Sequence, residues 1–153
     1  MPIYTYILGG GPDSRLFKNV REKNSLCYSI SSTYKLISNI MVISSGINAS
    51  DYKKAFKLIK EQVEKMNNGE FDIKDINNAK ITYLSAYEES DDSIYSILNS
   101  YVSREYLGLD LNNIRKKKIK KVTKKDILNV IPKIHPEIVY LLKGGKENEE
   151  KNI

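Results

Sequence analysis

Apolar and polar positions change rhythm repeatedly along this chain, and each change marks an element. Ile3 to Leu8 is an apolar run halted by Gly9-Gly10-Gly11-Pro12, a breaker cluster that reads as a loop. Asp13 or Ser14 then offers a cap for a helix reaching about Lys23. In it Leu16, Phe17 and Val20 share one face, while Arg15, Lys18, Arg21 and Lys23 take the remainder. From Leu26 the period falls to two. Tyr28, Ile30, Ser32, Tyr34 and Leu36 lie on one side of an extended strand and Ser29, Ser31 and Thr33 on the other. Ser38-Asn39 reads as a hairpin turn, and the β-branched run Ile40 to Ile47 as the antiparallel partner.

Beyond the hairpin the helical period dominates. Ser50-Asp51 opens a helix with Tyr52, Ala55, Phe56, Ile59, Val63 and Met66 on one face, closed by Gly69. Asp72 and Asp75 have the spacing of a capping pair at the head of a second helix, whose stripe includes Ile76, Ala79, Tyr83 and Tyr87. A third is expected from Asp91, with Ile94, Ile97, Leu98, Tyr101 and Val102 as its apolar stripe and Gly108 as its stop. A short helix from about Leu111 to Lys121 follows. Another is opened by the Thr123 and Asp126 pair and ended by Pro132. Ile138 to Leu142 reads as a last short strand, and Gly144 to Ile153 as a polar, disordered tail. Strands at both ends with helices grouped between them predict an α+β domain over 1–145, an antiparallel sheet with helices packed on one face.

Length and composition fit this picture. The 153 residues suit one domain, and 41% hydrophobic with 29% charged residues is ordinary for a folded protein. No apolar run reaches the roughly 20 residues needed to span a bilayer, and residues 1–10 lack a secretory signal pattern. A single cysteine, Cys27, fits a reducing compartment, so a cytoplasmic location is expected. The net charge of +6 is a mild excess, 25 Lys and Arg against 19 Asp and Glu. Much of it lies in the lysine-rich stretch from Arg115 to Lys125. Ile119 and Val122 there keep an apolar stripe, so a solvated helix face explains the charge better than a nucleic-acid surface.

Little in the chain suggests independent catalysis. A catalytic zinc needs three protein ligands, yet there is one histidine, His135, and neither H-x-x-E-H nor H-E-x-x-H occurs. Cys27 and His135 as nucleophile and base have no supporting pattern, and Cys27 sits where a strand wants a small apolar residue. Glu88, Glu89, Asp91 and Asp92 are acids expected just ahead of a helix, where they complement its dipole. Gly9, Gly10 and Gly11 lack the G-K-[S/T] continuation of a phosphate loop.

Residues 8–29 are more specific. They carry the glycine run, then Ser14-Arg15-Leu16-Phe17, Arg21-Glu22-Lys23 and Leu26-Cys27-Tyr28-Ser29. This succession resembles the substrate-binding C-terminal domain of the pitrilysin/insulinase family of zinc peptidases, which includes mitochondrial processing peptidase. Gly46-Ile47-Asn48, the 72–84 helix and the segment from Val122 to Ile127 also fit that layout. Leu26-Cys27-Tyr28 and Asp91-Asp92-Ser93 look most similar to bacterial members without the zinc motif.

The resemblance implies a zinc-free domain that holds peptide for a zinc-bearing partner half and is inactive alone. It assigns Gly9, Gly10 and Gly11 as the glycine loop, and Arg21 and Tyr28 as the arginine and tyrosine that reach toward the bound peptide. By spacing alone, the latter two read as a surface helix residue and a strand-face aromatic. Chemically, a guanidinium and a phenol are both donors able to hold a carbonyl and an oxyanion. It also implies that the family's first strand and most of its first helix are absent, leaving a sheet edge through which two copies could pair. A peptidase-fold scaffold without proteolytic work and a basic nucleic-acid module using Arg115 to Lys125 are the rival functions.

Overall fold

The first element, α1 (Pro2–Gly9), lies across a β-hairpin, and this contact organises the rest. The computed structural model describes residues 1–143; the end of the expected domain and its polar tail lie outside them. Ile3, Tyr4, Ile7 and Leu8 recur at helical spacing and are buried, which makes the opening apolar run a helix face. The glycine run is not a loop throughout. Gly9 is the last residue of α1, and Gly10 caps it with φ −86°. The reason is close approach: a Cβ on Gly9 would stand 2.7 Å from the Ser32 amide nitrogen and 2.9 Å from Leu16 Cδ1. The Ser32 hydroxyl completes the seam by donating to the Thr5 carbonyl at 2.6 Å.

The strands β1 (Ser29–Lys35) and β2 (Ile40–Gly46) pair antiparallel from Ser29 opposite Gly46 to Lys35 opposite Ile40. The alternation expected for β1 is present, with Ile30 and Ser32 buried beneath α1 and Ser29, Ser31 and Thr33 exposed. Asn39, at φ +53°, turns the hairpin, a conformation asparagine tolerates better than most residues. Among the described residues the sheet has these two strands only.

Helix α2 (Tyr52–Asn67) buries Ala55, Gln62 and Met66 and stops at Gly69, whose φ of +77° suits glycine. Helix α3 (Ile73–Asp91) begins with the expected capping box, Asp72 and Asp75 each accepting the other's backbone N–H at 2.9 and 3.0 Å. Ile76 and Ala79 on its stripe are fully buried, with Tyr83 and Tyr87 packed beside them. A second box, Thr123 with Asp126, opens α6 (Lys124–Leu128) after α5 (Asn112–Lys121). That helix ends at Leu128, before Pro132, and a 3-10 turn at Ile131–Lys133 follows.

Three expectations need correction. Asp91 ends α3, and Ser93 caps α4 (Ile94–Leu107) by accepting from the Ser96 amide. The acids therefore sit at a helix C-terminus, where the dipole opposes them. Asp91 is compensated there by Lys116 Nζ at 2.5 Å and Asn112 Nδ2 at 3.0 Å, and the Lys116 bond leads in holding its carboxyl below the ordinary range. Next, the α4 stripe read as core faces outward: Ile94, Leu98, Tyr101 and Val102 are exposed, while Ser96, Ser100 and Ser103 are half-buried. Last, residues 137–143 form no strand. This apolar run pairs with neither free edge of the hairpin, and a strand exists only through a partner's hydrogen bonds.

Candidate functional site

Arg21 sits near the end of a π-wound segment, Phe17–Glu22. The Lys23 amide bonds the Lys18 carbonyl five residues back at 3.0 Å, the ladder of a π turn, a winding frequent at functional sites. Phe17 supplies a platform, its ring centroid 4.5 Å from the Arg21 guanidinium carbon. Neighbouring bonds hold this segment to α2. Asn19 Nδ2 donates to buried Gln62 Oε1 at 3.0 Å and to the Arg15 carbonyl at 2.8 Å, and Arg15 donates to the Glu70 carbonyl.

The chain then reverses through Ser25, at φ +51°. Ser25 N–H bonds the Arg21 carbonyl at 3.0 Å and Leu26 N–H the Val20 carbonyl at 3.2 Å. This is a Schellman-like closure, each bond one residue wider than after an α-helix. Tyr28 follows immediately, its N–H donating to the Gly46 carbonyl at 2.8 Å and its hydroxyl to Asn48 Oδ1. The side chain remains 68% exposed. Arg21 is exposed too, so both donors flank one short connection and face outward from anchored backbone. Asn48, which the sequence reading does not single out beside Tyr28, carries no sequence signal of this contact.

The other candidates do not assemble. Gly9 and Gly10 are packing contacts, and a Cβ on Gly11 would meet the Tyr6 hydroxyl at 3.1 Å. Cys27 is half-buried against the core and His135 is exposed, and no hydrogen bond joins them among the described residues. Among those residues no group of three His, Cys, Asp or Glu could hold a metal. The lysine-rich helix is partly neutralised, Lys116 by Asp91 and Lys118 by Asp110, each at 2.5 Å. Ile119 beneath it is buried as its stripe requires. No helix of the described residues is long and apolar enough to cross a membrane.

A two-stranded hairpin under a helical layer, with a glycine-packed helix leading into the arginine and tyrosine segment and no metal-ligand group among the described residues, is the architecture of a peptidase-like domain. Residues 3–83 match the family model of the peptidase M16 inactive domain, and the chain belongs to that family. It is 30% identical over 145 residues to YmfF of Bacillus subtilis, described as a probable inactive metalloprotease, covering 94% of this chain and 34% of that protein. The non-peptidase homolog YmxG of Helicobacter pylori is 28% identical over 154 residues, covering 98% of this chain and 35% of that protein. The chain thus spans about a third of the length of these curated relatives. A conserved protein of Enterococcus faecalis superposes with TM-score 0.79 at 26% identity, covering 86% of this chain and 31% of that one. A peptidase M16 inactive domain from Pseudomonas fluorescens shares the fold, with TM-score 0.76 at 20% identity over 88% of this chain and 33% of that one. The resemblance carried by residues 8–29 is therefore correct at the level of family.

Proposed function

We propose that this chain is the substrate-holding, non-hydrolytic half of a two-part peptidase, working with a zinc-bearing half on another domain or subunit. The observation that carries this reading is the outward presentation of Arg21 and Tyr28 from backbone pinned by the π turn and the β1 start, in a chain of the M16 inactive-domain family. Zinc, in the partner half, would supply the attacking water. No group of His, Cys, Asp and Glu among the described residues fits that ion, and no step derived for this chain passes through a metal.

The chemistry left to this chain is binding and charge stabilisation. The Arg21 guanidinium donates to a peptide carbonyl oxygen, the Tyr28 phenol joins it when its one proton turns from Asn48 Oδ1 to the substrate, and this donation strengthens as the oxygen takes up negative charge. The free edge of β2 offers an extended peptide main-chain pairing, and the same edge would accept β2 of a second copy. The lone thiol suits a reducing cytoplasm.

The test is peptide hydrolysis with added zinc, by this chain alone and mixed with H-x-x-E-H proteins of the same genome. We expect no turnover alone and turnover in one mixture, lowered at least tenfold by Arg21→Ala. Silence in every mixture, with peptide affinity unmoved by Arg21→Ala, would replace this reading with the scaffold alternative.

A further inference from the structure

We propose that the cleft between α3, α4 and α5 binds a small anionic sugar-like molecule, one phosphate or carboxylate group on a hydroxyl-rich body. The inference does not rest on the peptidase reading. A helix of a water-soluble domain ordinarily turns large apolar side chains inward, but the half-buried positions of α4 are Ser96, Ser100 and Ser103. These small side chains do not fill the space against α3 and α5, and a cleft of about 430 Å³ remains there. Sites for small molecules run from roughly 300 to 1,000 Å³. Tyr83 and Tyr87 of α3 and Tyr95 of α4 supply its aromatic walls. Such rings are apolar on the face and polar at the hydroxyl, which suits a body that alternates C–H and O–H groups.

The charges select an anion. Arg115 lines the cleft and no carboxylate of the described residues does. Lys116 and Lys118 beside it are paired with Asp91 and Asp110, whereas half-buried Arg115 joins no salt bridge among the described residues. A guanidinium withdrawn from water without a counter-charge carries a desolvation cost that a bound anion offsets, and its planar fork fits phosphate and carboxylate oxygens. The neighbouring hydrogen bonds select hydroxyls. Asn112 Nδ2 donates one proton to Ser90 Oγ at 3.2 Å and the other to Asp91 Oδ1 at 3.0 Å. That leaves Asn112 Oδ1 to accept and the Ser90 hydroxyl to donate, the adjacent pair that an alcohol group requires. Asp91, bonded to Lys116 as well, ties the head of α5 to the end of α3 and so fixes where Arg115 stands.

The experiment is a heteronuclear NMR titration of the whole chain with glucose 6-phosphate, gluconate, glucose and inorganic phosphate. We expect at least one of the two anionic sugars to move the amide signals of Ser90, Ser100 and Asn112 saturably, and which of them does so distinguishes phosphate from carboxylate. Glucose and inorganic phosphate, each offering one half of the ligand, should bind at least about tenfold more weakly. Arg115→Gln should weaken binding at least about tenfold. Ser100→Leu, which fills the cleft from α4, should abolish it, and circular dichroism should show both variants folded. Saturable shifts with neither anionic sugar, binding that survives Arg115→Gln or Ser100→Leu in a folded protein, inorganic phosphate binding as tightly as glucose 6-phosphate, or shifts confined to the exposed lysines of α2 would each overturn the proposal.

Discussion

The Tyr28 hydroxyl donates to Asn48 Oδ1, joining the residue just before β1 to the loop just after β2. The bond closes the open end of the hairpin and fixes where the phenol points. Because Tyr28 is largely exposed, Tyr28→Phe should change stability by less than about 0.5 kcal/mol, while partner-assisted peptide turnover falls on the order of a hundredfold. Asn48→Ala should give a smaller loss, since it frees the phenol without removing it. Urea denaturation beside the mixed-peptidase assay separates the two effects. Equal turnover by wild type and Tyr28→Phe would remove Tyr28 from the substrate site.

Gly9 and Gly108 are glycines for different reasons, and alanine tells them apart. At Gly9 the added methyl meets the backbone of β1 at 2.7 Å, so α1 must lift from the hairpin, at a cost of about 2–3 kcal/mol. At Gly108 nothing lies within 4 Å, but φ is +64°, and alanine should cost only about 1 kcal/mol. Urea midpoints for both variants check the order. A Gly9→Ala protein as stable as wild type would mean that α1 does not seat as closely as described.

The contrast marks what was legible in the sequence. Both capping boxes, Asp72 with Asp75 and Thr123 with Asp126, were readable because the code is local and the same few residues carry it. The β1 alternation was readable for the same reason. The α4 stripe was readable as a stripe but not as an outward one, because periodicity shows that a face exists and says nothing of what meets it. Ile138 to Leu142 had strand composition, yet strands depend on edges supplied from elsewhere in the chain. The π winding under Arg21 left no mark, since no residue type specifies a five-residue ladder. Arg21 and Tyr28 stand out in the sequence only through the family motif, whereas the contacts that Phe17 and Asn48 make with them are visible only in the packing.

Alkaline pH should loosen the core through Tyr4. Its ring is buried and its hydroxyl donates to Asn67 Oδ1 at 2.9 Å. Burial pushes its pKa up to about 12, against 10 for a free tyrosine. In the folded state the neutral phenol is therefore favoured. Its contribution is fully present below pH 10 and declines as pH rises from 10 toward 12, where the unfolded chain releases the proton first. Burial raises Tyr83 in the same direction, so it adds to the trend. Urea midpoints across that window should fall less steeply in Tyr4→Phe, which also loses about 1 kcal/mol at neutral pH from the unpaired Asn67. Identical slopes in the two proteins would mean that Tyr4 ionises as a free tyrosine does.

The side-chain hydrogen bond from Asn19 to Gln62 ties the segment carrying Arg21 to α2 and should be measurable as a coupling. Gln62 is 2% exposed and its Oε1 accepts from Asn19 Nδ2 at 3.0 Å. Gln62→Leu keeps the volume but leaves Asn19 Nδ2 with only the Arg15 carbonyl as an acceptor. Asn19→Ala removes the donor and leaves Oε1 buried and unpaired. Each should cost about 1–2 kcal/mol and the double variant less than their sum, with a coupling of about 1 kcal/mol. Because the tie steadies the backbone beneath Arg21, Gln62→Leu should also lower partner-assisted turnover while Arg21 remains in place. A coupling near zero in the urea double-mutant cycle would show that the π segment is held by its apolar contacts, Leu16 and Val20, and that the polar tie does not position Arg21.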